Sequence, residues 1–278
     1  MDMNIGIRLH DTRPGGLRER LAFAAEQGFS CVHLAMSKAV PGFRMDEAPR
    51  LLTRELAQEV RGELKRARME CAVLGCYLKL ACPEEEEALR VREIYLAHIR
   101  FAAWIGARCV GTETPPADGP EGEGCRTDAH YRLLLDRLRP VVRAAEQQGV
   151  TLAVEPVCSH ILHSASLAER LLTDLRSDRA QIILDAVNLI DSAHAEEADC
   201  LIRDAVQRLG SRVCVLHMKD FVPRPDAPRP RPVPCGQGRM DLGPLLRLAR
   251  ERALPMALEN TAPDNAEQTR LYLESLAE

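Results

Sequence analysis

The sequence lacks three features that would each point to a class of partner. Its 37 Lys and Arg residues are outnumbered by 41 Asp and Glu residues, so it has no basic excess of the kind that nucleic-acid-binding domains carry. No window approaches the roughly 18 consecutive apolar residues that a membrane-spanning helix needs. The first residues also lack the basic start and apolar stretch of a secretory signal. We therefore expect a soluble protein with neither a nucleic-acid nor a membrane partner.

The ten cysteines form no C-x-x-C pair. Several of them, including Cys31, Cys71, Cys109 and Cys214, lie inside apolar segments. Free cysteine packs as a small apolar side chain, and disulfides are rare in the cytosol. The cysteine pattern therefore predicts buried, reduced thiols and a cytoplasmic location.

Eight short apolar segments alternate with longer segments of helical periodicity. The predicted strands are 4–10, 30–36, 69–77, 107–113, 150–155, 181–185, 212–217 and 255–259. Strict alternation predicts a parallel sheet, because a parallel crossover needs a connection as long as a helix. Eight such units close into a (β/α)8 TIM barrel, with an open doubly wound sheet as the alternative. No low-complexity linker interrupts the chain, so we expect a single domain over residues 1–278.

The segment 221–234 differs in composition from the rest of the chain. It contains six prolines, which are Pro223, Pro225, Pro228, Pro230, Pro232 and Pro234. Prolines at this spacing exclude a helix and a central strand. We expect a long, stiff loop after the seventh strand, on the barrel face where active sites lie.

The last four predicted strands each end on an acidic residue or a histidine. Side chains alternate along a strand, and apolar positions such as Leu152, Leu184, Cys214 and Leu216 are assigned to the outer face. The inward positions at the C-terminal ends are then Glu155, Asp185, His217 and Glu259. Three carboxylates that converge at a barrel mouth repel one another and need a cation. This set of ligands favours a hard divalent ion, with Mn²⁺ first and Mg²⁺, Co²⁺ or Zn²⁺ as alternatives.

The same segments resemble the sugar phosphate isomerase/epimerase family of xylose isomerase-like TIM barrels. The matching stretches are LAVEP (152–156), ILDAVN (183–188), LHMKD (216–220), GQGRMD (236–241) and ALEN (257–260). By this resemblance Glu155, Asp185, His217 and Glu259 would be the metal ligands, and Glu155 and Glu259 would also form the acid–base pair. The resemblance implies a carbohydrate isomerase or epimerase, and it leaves a homodimer open because barrels of this family often pair.

The proton chemistry of such a reaction fits these residue types. Isomerising or epimerising a sugar next to its carbonyl requires a proton to leave carbon and return, through an ene-diolate that a divalent metal would stabilise. Two carboxylates on opposite sides of the substrate can remove and return that proton. Two alternatives remain open: a metal-dependent dehydratase of an inosose-type keto-polyol, and a catalytically silent barrel that binds a sugar.

Five further residues are predicted to contact the sugar. His10 and Glu113 are the inward residues that end the first and fourth strands, and His160 lies in the loop that follows Glu155. Lys219 is predicted by the resemblance, two residues after the metal histidine. Asn188 stands where ketose 3-epimerases of the family have a histidine.

Overall fold

Eight parallel strands close a barrel in the computed structural model, which describes residues 3–117, 119 and 121–276. The ends of the predicted 1–278 domain, residues 1–2 and 277–278, lie outside the described part. The barrel strands are β1 (Ile5–Arg8), β2 (Cys31–Leu34), β3 (Glu70–Gly75), β4 (Cys109–Thr112), β5 (Thr151–Val154), β6 (Ala180–Asp185), β7 (Val213–Met218) and β10 (Met256–Leu258). Because β1 pairs with both β2 and β10, the sheet is closed and the predicted (β/α)8 barrel is confirmed.

At least one helix follows each barrel strand and covers its outer face. The helices are α1 (Leu17–Glu26), α2 (Met36–Ala39), α3 (Ala48–Leu51), α4 (Arg54–Ala67), α5 (Glu85–Ile105), α6 (Asp128–Gln148), α7 (Ala165–Leu175), α8 (Ala198–Leu209), α9 (Gly243–Arg252) and α10 (Ala266–Ser275). Gly106 and Gly149 end α5 and α6 with φ of 74° and 67°, a left-handed conformation that glycine adopts without strain. Across the described ranges, none of these helices has both the length and the apolar character that a membrane crossing demands.

The proline-rich segment contains a short two-stranded ribbon, which the sequence did not predict. Strands β8 (Asp220–Val222) and β9 (Arg231–Val233) pair antiparallel, with Phe221 opposite Pro232. Proline is tolerated here because each strand of a two-stranded ribbon has a free edge, where no N–H is required. The ribbon carries the loop between its strands over the C-terminal ends of the barrel strands.

Asp220 fastens this ribbon to the turn that follows it. The side chain is 2% exposed, and its Oδ1 accepts hydrogen bonds from the backbone N–H groups of Phe221 (2.7 Å) and Met240 (2.9 Å). Its Oδ2 accepts from the N–H groups of Gly236 (3.2 Å) and Gly238 (3.0 Å). One carboxylate therefore satisfies four backbone donors on segments up to 20 residues away.

The barrel interior is a small apolar cluster, separate from the larger core between strands and helices. It contains Val73, Cys109, Ala153, Ile183, Cys214 and Val215. The assignment of Cys214 to the outer face is therefore wrong. Between Ile182 and Ile183 the register with β7 shifts, so that β7 has one more residue than β6 and strict alternation fails there. No disulfide joins the ten cysteines, and all except Cys200 are buried.

Candidate active site

The four residues that end the last barrel strands meet at the base of one cavity. Glu155 and Glu259 both approach the same nitrogen of the His217 ring, each with a carboxylate oxygen 3.2 Å from Nδ1. Asp185 is fully buried, and none of the four is more than 6% exposed. The structure thus brings together the four residues predicted from strand parity.

Lys219 and Asn188 connect these acidic groups. The Lys219 Nζ atom lies 2.6 Å from Asp185 Oδ2 and 3.1 Å from Glu259 Oε2. It also donates to Asn188 Oδ1 at 3.1 Å, while Asn188 Nδ2 donates to Glu155 Oε1 at 2.6 Å. Lys219 therefore supplies one positive charge inside the carboxylate cluster, and Asn188 bridges it to Glu155.

Burial and neighbouring charges shift the ionisation of the site. Burial raises the pKa of Asp185 to about 6, although Lys219 opposes the shift. Burial alone would raise the pKa of Glu259, but Lys219, His217 and Arg8 together hold it below its usual range. Burial would lower the pKa of His217, whereas the charges of Glu155 and Glu259 raise it to about 9. Positively charged groups of the protein, which are Lys219, His217 and Arg8, thus partly offset the charge of these carboxylates.

His33 is a member of the site that the sequence reasoning missed. Its ring stacks on His217 with centroids 5.1 Å apart and on Tyr77 with centroids 5.6 Å apart. The side chain is 3% exposed, and neither ring nitrogen has a hydrogen-bond partner in the part of the chain that the structure describes. Applying the parity rule to the second strand would have assigned His33 to the inner face.

A cavity of about 1040 Å³ opens above these residues. Of the residues predicted to contact substrate, His10, Glu113, Asn188 and Lys219 line it. The prediction that the first strand ends at His10 is wrong, because β1 ends at Arg8 and His10 lies in a 3₁₀ helix over Leu9–Asp11. Burial raises the pKa of Glu113 to about 8, with further contributions from Glu155 and Glu259.

His160, also predicted to contact substrate, is 6% exposed and is not among the described residues that line this cavity. Its Nδ1 atom lies 3.7 Å from Glu113 Oε2, and its Nε2 atom lies 3.8 Å from Glu121 Oε2. His160 therefore contacts two carboxylates at the cavity wall.

The donor set at the base of the cavity fits a divalent cation. One ligand atom each from Glu155, Asp185 and His217 lie within 4.8 Å of one another, and so do atoms of His33, His217 and Glu259. Among the described residues, no group has hydrogen-bond geometry to either ring nitrogen of His217, despite the two carboxylates beside the ring. A buried imidazole without a partner is costly unless something else binds it. These residues could therefore hold a metal, through His217 as the shared ligand.

The sequence matches the family model described as xylose isomerase-like TIM barrel over residues 21–277. The chain belongs to this family. No curated protein matches the sequence significantly.

Three solved structures illustrate the shared fold. 3-Keto-D-glucoside 4-epimerase YcjR from E. coli superposes with a TM-score of 0.74 at 17% identity, covering 99% of this chain and 100% of that chain. The probable 3-DHS dehydratase AsbF from Bacillus anthracis gives 0.73 at 16% identity, with 100% and 99% covered. The IolI protein with a bound zinc atom gives 0.74 at 17% identity, with 99% and 98% covered. At these identities the likeness establishes the barrel, and function rests on the site.

Proposed function

We propose that the protein is a divalent-metal-dependent isomerase or epimerase that acts on a small sugar or sugar derivative, and that it works in the cytoplasm. The observation that supports this most strongly is the pair of buried carboxylates, Glu155 and Glu259, which line the cavity and each lie 3.2 Å from His217 Nδ1. A pair of this kind suits the removal of a proton from one side of a carbon and its return on another. The similarity to sugar epimerases of the same fold agrees with this chemistry.

The metal would be held by Glu155, Asp185, His217 and Glu259. When bound, a divalent cation would act as a Lewis acid on neighbouring substrate oxygens and lower the cost of the ene-diolate. The mix of three carboxylates with one imidazole favours Mn²⁺, with Mg²⁺, Co²⁺ and Zn²⁺ as alternatives.

The hydrogen bonds of Asn188 assign a role to Glu155. Lys219 and Arg229 both donate to Asn188 Oδ1, at 3.1 Å and 2.6 Å. Neither cation can accept a hydrogen bond, so the orientation of the amide is fixed and its Nδ2 group must donate to Glu155. This bond holds the Glu155 carboxylate in a fixed position at the cavity. We therefore propose Glu155 as the base that takes the proton from carbon.

Glu259 would then deliver a proton to the same carbon from the other side, passing on one from the Lys219 ammonium. Solvent would return to Lys219 the proton that Glu155 took up. The Glu259 Oε2 atom lies 3.1 Å from Lys219 Nζ and 3.5 Å from an Arg8 guanidinium nitrogen. Two cations near one oxygen keep the group in position and stabilise its charged form between turnovers. His10, Glu113, Asn188 and Lys219, at the cavity wall, would orient the hydroxyls of the sugar. His160 would act behind them, through Glu113, which lies 3.7 Å away.

Hydrogen exchange tests the proposal directly. Metal-loaded protein would be incubated in D₂O with a panel of ketoses and aldoses, and deuterium at the carbon next to the carbonyl would be measured by NMR. Glu155→Gln and Glu259→Gln should reduce exchange at least 100-fold, because each proton transfer contributes on the order of 10²- to 10⁴-fold. Glu267→Gln, an exposed residue on α10, is the matched control and should exchange at the wild-type rate. Undiminished exchange in either site variant would refute the assignment.

Metal analysis separates this function from a silent binding barrel. Protein purified without chelator should contain about one equivalent of divalent metal, and Asp185→Asn should reduce that content. A protein that binds sugar but holds no metal and exchanges no hydrogen would be the silent barrel instead.

Elimination of water is a second candidate, and Glu113 favours it. A carboxyl with a pKa near 8 is protonated at neutral pH, so it could donate a proton to a leaving hydroxyl. Mass spectrometry distinguishes the two reactions, because isomerisation conserves the mass of the substrate whereas a dehydratase product is lighter by one water.

A further inference from the structure

The cavity wall carries more positive charge than the carboxylates of the site require. Of the cations that line it, Arg8 and Lys219 form ion pairs with described carboxylates. The other four, Lys38, Arg224, Arg229 and Arg231, have no ion-pair partner among the residues that the structure describes. They come from only two places, α2 after strand β2 and the segment 221–234. We define these four as the cavity cations.

Many arginines of the protein form no described ion pair, but the cavity cations are distinctive because all four line one cavity. Arg239, shortly after the same segment, places two guanidinium nitrogens 2.6 Å and 2.9 Å from the carboxylate of Glu196. The acidic residues of the cavity wall, Glu113 and Glu121, instead lie beside His160. The cavity thus contains several donors whose charge no described protein group offsets.

We propose that the substrate of this site carries an anionic group, a carboxylate or a phosphate, and that the cavity cations bind it. This inference rests on the proposed function, because it names the class of sugar that the same site would accept. Guanidinium groups match carboxylate and phosphate oxygens through two parallel hydrogen bonds. Arg229 uses one nitrogen for Asn188 Oδ1 and has other donors left for a ligand.

The backbone of the segment reduces the entropic cost of binding. Arg229 is flanked by Pro228 and Pro230, and Arg231 by Pro230 and Pro232. Proline restricts φ to about −65°, so this stretch has little conformational freedom to lose when a ligand binds. The segment is also fastened at its base by the four hydrogen bonds to Asp220.

The position of Arg229 relates the anionic group to the reacting carbon. Arg229 contacts Asn188 at 2.6 Å, and Asn188 contacts Glu155 at 2.6 Å. A group bound by Arg229 is therefore separated from the proposed base by the width of one amide side chain. The anion would sit at one end of a short substrate, with its carbonyl end over Glu155 and Glu259.

Calorimetric titration with matched sugars tests the inference without turnover. The probes are D-glucose, D-glucuronate and D-glucose 6-phosphate, which share a ring and differ in charge. We expect at least one anionic probe to bind about tenfold or more tightly than glucose, and the gap to narrow as NaCl is raised from 25 to 200 mM. Whichever of the two anionic probes binds more tightly identifies its charged group, carboxylate or phosphate, as the preferred one.

Single substitutions test which residues cause the tighter binding of the anionic probe. Arg229→Gln and Arg231→Gln should each weaken binding of the anionic probe about tenfold. Arg231→Gln should also leave glucose binding unchanged, whereas Arg229 contacts Asn188 in the site. The Arg231 side chain forms no hydrogen bond or ion pair with the described residues, so we expect its replacement to remove charge without disturbing the fold. Arg239→Gln, whose guanidinium pairs with Glu196, is the matched control and should bind like wild type.

Two results would overturn the inference. The first is equal affinity for all three probes, including no binding of any of them. The second is an equal loss of affinity for the anionic probe in Arg239→Gln and Arg231→Gln. Hydrogen exchange on a neutral ketose without any preference for anionic sugars would refute this inference alone. Tight anion binding without metal or hydrogen exchange would refute the proposed function alone.

Discussion

Replacing Asp220 by Asn removes half of the acceptors that hold the turn after the ribbon. The carboxylate offers two oxygens to four backbone N–H groups, whereas an amide keeps one oxygen and replaces the other by an NH₂ group that cannot accept. Two donors in this 2%-exposed environment lose their partner. Hydrogen bonds to a charged group contribute about 1.5–3 kcal/mol each, so Asp220→Asn should cost about 3–6 kcal/mol of unfolding free energy. That is a large fraction of the roughly 5–15 kcal/mol by which a folded protein is stable.

Urea unfolding followed by circular dichroism measures this loss. With a slope of about 3 kcal/mol/M, the midpoint for Asp220→Asn should fall by about 1–2 M. Asp241→Asn is the matched control, since the exposed Asp241 accepts a single N–H bond, from Gly243 at 2.9 Å, and its replacement should cost about 1 kcal/mol or less. If Asp220→Asn unfolds within 1 kcal/mol of wild type, the four hydrogen bonds do not fasten the segment.

Three further predictions concern the stability of the barrel. Gly111→Ala should destabilise it by about 1–3 kcal/mol. The added Cβ would lie 2.6 Å from a methyl carbon of Val73 and 2.8 Å from a methyl carbon of Ile183. An unchanged urea midpoint would contradict this prediction. Gly62→Ala, on α4 with no atom within 4 Å of the new Cβ, should instead stabilise by about 0.5–1 kcal/mol in the same assay. Burial lowers the pKa of His98 from 6.5 to about 4. Between these two pH values His98 binds a proton in the unfolded chain but not in the folded protein, so stability falls as the pH is lowered. Wild type should therefore lose about 2.5 kcal/mol more than His98→Leu between pH 7 and pH 4.5, and equal losses would show that His98 is not responsible.

The sequence predicted the centre of the site because that centre depends on local periodicity. Glu155, Asp185 and Glu259 follow directly from alternation along short strands whose outer face is apolar. Because all strands of a parallel barrel end at the same face, the residues at their C-terminal ends are expected to lie close together. The (β/α)8 fold was predicted for the same reason, since alternation of strands and helices is visible along the chain.

Alternation fails where the register shifts. Cys214 is the extra residue of β7 at its irregularity with β6. At a similar shift between β2 and β3 the extra residue lies in β3, so alternation along β2 still places His33 on the inner face. The contact between Arg229 and Asn188 joins residues 41 positions apart, and nothing in either local sequence specifies it. Such contacts depend on how the loops pack above the barrel.

The β8–β9 ribbon and its loop lie outside the hydrogen-bonded strands that hold the barrel together. Within the described part of the chain, its strands pair with each other and with no barrel strand. Insertions, deletions or exchanges between Val222 and Arg231 would therefore leave the hydrogen-bond ladder of the barrel untouched. The ribbon is a natural place for evolution to change substrate preference while the reacting groups stay fixed, and a natural place for grafting a loop from a relative to redirect it.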